Sequence, residues 1–287
     1  MRKHFKERAI ASLWHAIAFR RGPPLRGLAR YLKLWCNPAT QKWEVVPATD
    51  SSCQTCVPRL GFNPVVSSQF HVFEFIDQRS WGIDDADLDV GNTALKGLVI
   101  YSSKAGTWKY QTAEFDSFEM PENPTSTFLK GIMHLAVYDN VMVAVDVEGD
   151  NWWCVYIPMT TPRVRTGDVL RSQGQLYFAN STTGSDDSEL DVWVLEDYRT
   201  SKWTLKHNVS HLQLLGRKYL WYAHRYSVIS IHPEHNLVFV VCGDENALMS
   251  YDMDSGKWCI IRQLGWDCGP PYVPYVPLFS ESLGDGH

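Results

Sequence analysis

An all-β fold, a β-propeller of about five to six blades, follows from three features of the 287-residue sequence. A polar, turn-rich octet ending in Trp recurs five times. Between the copies lie short apolar runs rich in β-branched and aromatic residues, the composition of strands. The spacing of the copies, 44 to 65 residues, fits four-stranded blades of roughly 40 to 50 residues with loop insertions. Composition agrees: hydrophobic residues make up 45% of the chain, enough for a sizeable core, and 34 Gly and Pro are spread between the apolar runs. That distribution favours many strands joined by turns.

The chain opens with "MRKHFKERAIASLWHAIAFRRGPPLRG". Ile10, Leu13, Trp14, Ile17 and Ala18 recur at amphipathic helical spacing, and Gly22-Pro23-Pro24 ends the pattern. Residues 1–30 are therefore expected to form a short basic helix and a Pro/Gly linker, with the helix docked on, or frayed from, the propeller domain. A presequence or a membrane-surface helix is the sharper reading of the same stretch. A disordered tail is expected over 282–287.

The octets come next in order. "CNPATQKW" ends at Trp43, "YSSKAGTW" at Trp108, "VDVEGDNW" at Trp152, "EDYRTSKW" at Trp203 and "YDMDSGKW" at Trp258. The second position is Asn37, Ser102, Asp146, Asp197 or Asp252, side chains that bond their own backbone and start turns. A Gly or a small polar residue stands shortly before each Trp, where a hairpin needs positive φ. The Trp residues lie 65, 44, 51 and 55 positions apart. Upstream of the later octets, "FHVFEFI" (70–76), "FLKGIMHLAVYD" (128–139), "SQGQLYFAN" (172–180) and "SVISIHPEHNLVFVV" (227–241) read as the other strands of each unit. A four-stranded sheet can bury a face only against a neighbour, so the units are expected to stack radially. Each Trp is expected to pack between adjacent blades as a structural residue.

Charge and cysteine usage narrow the partners. The net charge is -5, yet residues 1–35 hold 9 of the 27 Lys and Arg and 1 of the 32 Asp and Glu. The rest is acidic, without a basic surface to displace counterions, which disfavours nucleic acid as a partner. Seven Cys (36, 53, 56, 154, 242, 259, 268) without a signal peptide point to a reducing cytoplasmic or nuclear setting rather than a disulfide framework. No apolar run approaches the roughly 18 residues of a membrane span, so no membrane partner is expected.

Motifs that could carry chemistry have simpler readings. Cys53-Gln54-Thr55-Cys56 is a lone CxxC, and a zinc site would need a second ligand pair such as His232 and His235, in a segment that reads as a turn between strands. Asp85, Asp87 and Asp89 alternate as in a calcium loop, but Val90 and Lys96 stand where Gly and a bidentate Glu are required. A solvated acidic loop is expected there, contributing Trp81, Asp84, Asp85 and Asp87 to a partner-binding rim. The carboxylate pairs Asp186-Asp187 and Glu196-Asp197 fall in turns. No nucleophile elbow, P-loop or dinucleotide fingerprint occurs. No catalytic residue, cofactor or metal is expected.

"CNPATQKWEVVP", "LGFNPVVSSQFHVFEF", "VIYSSKAGTW", "VWVLEDYRTSKWTLKH", "ISIHPEHNLVFVV", "LMSYDMDSGKW" and "PYVPYVPLFSES" together resemble the associated β-propeller domain of plant F-box proteins, particularly the large grass-type group. The resemblance covers about residues 31–281. It implies a non-enzymatic, kelch-like substrate receptor of a cullin-based SCF-type ubiquitin ligase, binding a protein substrate. A Skp-type adaptor and cullin enter only if an F-box-like element exists, and residues 1–35 show no such order of segments. The expectation is then either a truncated or alternatively spliced member unable to bind the adaptor, with a propeller incomplete in its first blade, or a member whose N-terminus has been rebuilt. The reading from a different class is a propeller enzyme such as a glycan-active hydrolase, which needs two carboxylates about 5 to 10 Å apart.

Overall fold

A computed structural model describes residues 20–21, 31–37, 42–47, 49, 57–63, 66–77, 94–112, 118–121, 124–158, 167–181, 189–215, 226–242 and 246–265. Among these, five antiparallel sheets each keep their strands in chain order. The first has three strands, β1 (Arg20–Arg21), β2 (Tyr31–Asn37) and β3 (Lys42–Val46). Four four-stranded blades follow. They comprise β4 (Val57–Phe62), β5 (Phe70–Asp77), β6 (Leu95–Ser102) and β7 (Thr107–Thr112); then β8 (Ser126–Leu129), β9 (Ile132–Val137), β10 (Val141–Asp146) and β11 (Trp152–Tyr156). The next are β12 (Asp168–Ser172), β13 (Gln175–Ser181), β14 (Glu189–Asp197) and β15 (Lys202–Ser210); then β16 (Tyr226–Ile231), β17 (Leu237–Cys242), β18 (Ala247–Asp252) and β19 (Lys257–Gln263). A single helical turn, α1 (His211–Leu215), follows β15.

The fold is the all-β propeller that the repeats predict. Arg20 and Arg21 correct one detail: they pair as a strand with Leu32 and Tyr31 rather than closing a basic helix. Neither belongs to the i, i+3, i+4 apolar spacing upstream, so nothing in that pattern holds them helical. The proposed helix at residues 10–18 and the tail at 282–287 lie outside the described residues.

Burial explains why each sheet needs a neighbour. β9 sends Met133, Leu135 and Val137 into a cluster with Phe73, Phe75, Leu98 and Ile100 of the preceding blade. Its alternate residue Ala136, with Met142 of β10, joins Val169, Leu176 and Phe178 of the following blade. A third cluster joins Leu190, Val192 and Val194 to Val228, Val238 and Val240 across the next gap. Middle strands are thus buried on both faces, which is why "VMVAV" at 141–145 reads as a continuous apolar run. Each core lies between two blades, so no blade carries an independent core.

The first strands lie side by side, β4 beside β8, β8 beside β12 and β12 beside β16, and so surround the axis. In an up-and-down meander the first and third strands run opposite to the second and fourth. Turns between first and second and between third and fourth strands therefore share one rim, and these are short, such as 130–131, 173–174 and 253–256. The second-to-third turns and all blade-to-blade connections share the other rim. That rim receives the long connections, 78–94, 113–125, 157–167, 182–188 and 211–225.

Candidate interaction surface

On the short-turn rim the octets act as clamps. Asp197 accepts hydrogen bonds from the Arg199 amide at 2.9 Å and the Thr200 hydroxyl at 2.9 Å. Asp252 does the same with the Asp254 amide at 2.9 Å and the Ser255 hydroxyl at 2.9 Å. These donors hold both carboxyls below the usual carboxylate range, the Arg199 amide contributing most at Asp197 and the Ser255 hydroxyl at Asp252. Gly106, Gly149, Ser201 and Gly256 take positive φ just before the Trp. Gly fits there without steric cost.

Each clamp grips the last strand of the blade before it. Trp108 Nε1 donates to Pro47 O at 2.9 Å, just past β3. The 147–151 turn is held by Lys109, which reaches Glu148 O and the Asp150 carboxylate, both at 2.8 Å. Trp203 Nε1 donates to Tyr156 O at 2.8 Å, and the Tyr156 amide donates to Ser201 Oγ at 3.1 Å. Trp152 packs on the cluster shared with the preceding blade, although its Nε1 donates within its own turn to Gly149 O at 3.1 Å. Trp258 departs from the expectation of packing between blades: it is 44% exposed. Its place toward the preceding blade is taken by Tyr251, whose hydroxyl meets His207 Nε2 at 3.2 Å. Trp43 lies in β3, opposite Cys36 in the ladder, with its side chain outside the described residues.

On the long-connection rim, the axis opens between β4, β8 and β12. Arg59 of β4 donates from Nη2 to Pro124 O at 2.7 Å, just ahead of β8. Burial lowers its guanidinium to about 10. Thr125 Oγ1 donates to Gly167 O at 3.0 Å and accepts from the Val169 amide at 3.1 Å, which ties β8 to β12. Gly167 is required there: a Cβ would stand 2.5 Å from Ala179 O and from the Phe178 ring. Beside it, Asp168 begins β12, and burial pushes its carboxyl up to about 7. Among the described residues no donor or cation engages that carboxyl. Deeper along the axis, Arg171 donates to Phe128 O at 2.8 Å.

A second polar group is sealed between the blades β8–β11 and β12–β15. His134 Nδ1 meets Thr127 O at 3.2 Å, and the His134 ring lies 5.7 Å from that of Tyr198. Among the described residues, His134 Nε2, Tyr198 Oη and Trp193 Nε1 are all buried without a hydrogen-bond partner. Burial drives the imidazole down to about 4, so it is neutral at neutral pH.

Of the residues proposed for a partner-binding rim, Trp81, Asp84, Asp85 and Asp87 lie outside the described residues, as do Cys53, Cys56, Asp186 and Asp187. Their connections, 78–94 and 182–188, both leave from the long-connection rim. His232 and His235 sit in the turn between β16 and β17, where the His232 amide donates to Leu237 O at 2.8 Å. Among the described residues, no group of three His, Cys, Asp or Glu side chains converges on a metal position. No described helix is long and apolar enough to cross a membrane. Glu196 is engaged by Lys202 at 2.8 Å and by the Thr204 hydroxyl at 2.6 Å, which holds it ionised rather than ready to donate a proton. Arg59 and Asp168 were not among the sequence candidates. Their only signal is a charged residue inside a short first strand.

Interlocked four-stranded sheets around an axis, with the long connections leaving from one rim, define a β-propeller. A family model described as "F-box protein At3g26010-like, beta-propeller" matches residues 28–269, and the chain belongs to that family. The comparison with curated proteins gives no match. Solved structures agree only in outline. A nidogen/laminin complex aligns with TM-score 0.41 and 9% identity over 80% of this chain and 71% of that one. An oligogalacturonate lyase in complex with manganese aligns with TM-score 0.44 and 12% identity over 82% and 61%. A single-site variant of the Synechocystis apocarotenoid oxygenase gives 0.43 and 9% over 83% and 58%. The chain thus spans less than two thirds of the last two proteins.

Proposed function

We propose that this chain is the substrate-recognition module of an SCF-type ubiquitin ligase, working in the cytoplasm or nucleus. The propeller holds a protein substrate through the rim of long connections, and where an F-box-like element is present a Skp-type adaptor links it to a cullin. Its contribution is proximity: the bound protein is kept near a ubiquitin-charged conjugating enzyme, at high effective concentration. The chain supplies affinity, and the bond-making chemistry belongs to its partners. The observation that carries this reading is membership of an F-box protein propeller family over residues 28–269. The asymmetry of the rims supports it, since loops on a rigid scaffold are where recognition residues concentrate.

A hydrolase reading lacks support of the same kind. The carboxylates Glu196 and Asp197 are committed to turn contacts and held ionised. Asp168 offers one carboxyl able to stay protonated near neutral pH, whereas glycoside hydrolysis needs a pair. Co-purification with a Skp-type adaptor tests the ligase assignment. A stoichiometric complex is expected from a preparation whose circular dichroism shows folded β structure. A folded chain that fails to retain the adaptor would remove the ligase role and leave a free-standing interaction propeller.

A further inference from the structure

The last blade ends, as the other four-stranded blades do, in a strand with one unpaired edge, and β19 differs from the others in what its side chains meet. In β7, β11 and β15 the outer strand is engaged by the following blade, through Lys109, Tyr156 and His207 respectively. β19 pairs with β18 along one edge, and among the described residues nothing pairs with the other. All seven of its residues are exposed. Three of them are large and apolar: Trp258, Ile260 at 50% exposure and Ile261 at 51%. The ladder is regular from Lys257 to Ile260, and then a bulge leaves Ile261 without a counterpart in β18. The only charged side chains of the strand are cationic, Lys257 at its start and Arg262 near its end.

An open strand edge is a template for one more strand, and proteins normally blunt it with charge or cover it. Here the charges stand at the ends and leave an apolar centre, the pattern of a surface that accepts an extended segment by β-addition. A second copy of β19 fits poorly, because each copy would bring two cations and no anion. We propose that the free edge of β19 binds an extended peptide segment of a protein partner, apolar at alternate positions and acidic at both ends. Backbone hydrogen bonds would form along Lys257–Ile260. The apolar side chains of the segment would pack on Trp258 and Ile260, and its carboxylates would meet Lys257 and Arg262. This site names a partner chemistry within the interaction role proposed above, but it is independent of adaptor binding and of the long-connection rim.

The test is fluorescence anisotropy with labelled heptapeptides of sequence Glu-Val-Thr-Val-Thr-Val-Glu and Lys-Val-Thr-Val-Thr-Val-Lys, titrated with the full chain. The acidic peptide is expected to bind at least tenfold more tightly than the basic one, and more weakly as salt is raised. Ile260→Lys should cut acidic-peptide binding at least tenfold. A Lys257→Glu, Arg262→Glu double variant should reverse the preference, an outcome that misfolding does not produce. Equal binding of the two peptides, no binding up to about 1 mM, or an unchanged preference in the double variant would overturn the proposal. So would a concentration-dependent dimer abolished by Ile260→Lys in sedimentation runs, which would assign the edge to a second copy of the chain.

Discussion

Asp168, partly buried at the start of β12, and His134, fully buried in β9, are titratable side chains that oppose one another in pH. Burial lowers His134 from its ordinary 6.5 to about 4. Between those values the unfolded chain binds more protons than the folded one, so folding stability contributed at this site falls as pH drops below 6.5. The loss approaches about 3 kcal/mol as pH nears 4. Asp168 has the reverse sign, since burial raises it from 3.8 to about 7. Its folded form binds the extra proton, and the stability present below pH 3.8 is lost as pH rises through 7. Asp168→Asn should therefore raise the melting temperature by a few degrees at pH 8 and change it little at pH 3.5, measured by thermal denaturation. On that background, adding His134→Leu should flatten the remaining decline between pH 6.5 and 4. A decline of unchanged steepness would place its origin elsewhere. Neither residue was legible as special in the sequence. The packing of one blade on the next shifts them, through residues dozens of positions away.

At the scale of the element, the octet is where the sequence speaks most clearly. An Asx side chain, a positive-φ position and a Trp at fixed offsets encode the turn locally, so Asp197, Ser201 and Trp203 could be placed without knowledge of the fold. The role of the Trp once placed depends on the neighbouring blade, and there the repeat misleads. Trp203 reaches Tyr156 O of the preceding blade, whereas Trp258 is 44% exposed and Tyr251 makes the contact with His207 of the preceding blade. Trp203→Ala is accordingly expected to cost about 2–3 kcal/mol, and Trp258→Ala less than about 1 kcal/mol, in urea denaturation. Equal costs would show that the two octets play the same part. The short first strands were the least legible elements. "STFL" and "DVLRS" carry little periodicity, and their position at the axis emerges only when the blades assemble.

At the scale of the whole molecule, the blades share their cores with their neighbours, and the long connections leave from one rim. The fold was legible because the octet recurs at intervals of 44 to 65 residues, and because sheets that bury one face per neighbour have few ways to assemble. The partner-binding rim expected at Trp81, Asp84, Asp85 and Asp87 falls on residues outside those described. The meander topology adds that their connection leaves from the rim that also carries 113–125, 157–167, 182–188 and 211–225. The central claim is that partners are held on this rim. Site-specific photo-crosslinking tests it most directly, with a benzophenone amino acid placed singly at Asp84 or Asp187, in connections that leave from the long-connection rim, or at Lys104 or Lys130 on the short-turn rim away from β19. In cell extract, adducts with partner proteins are expected from the first pair and not from the second. Adducts confined to Lys104 and Lys130 would contradict the account and move recognition to the opposite rim.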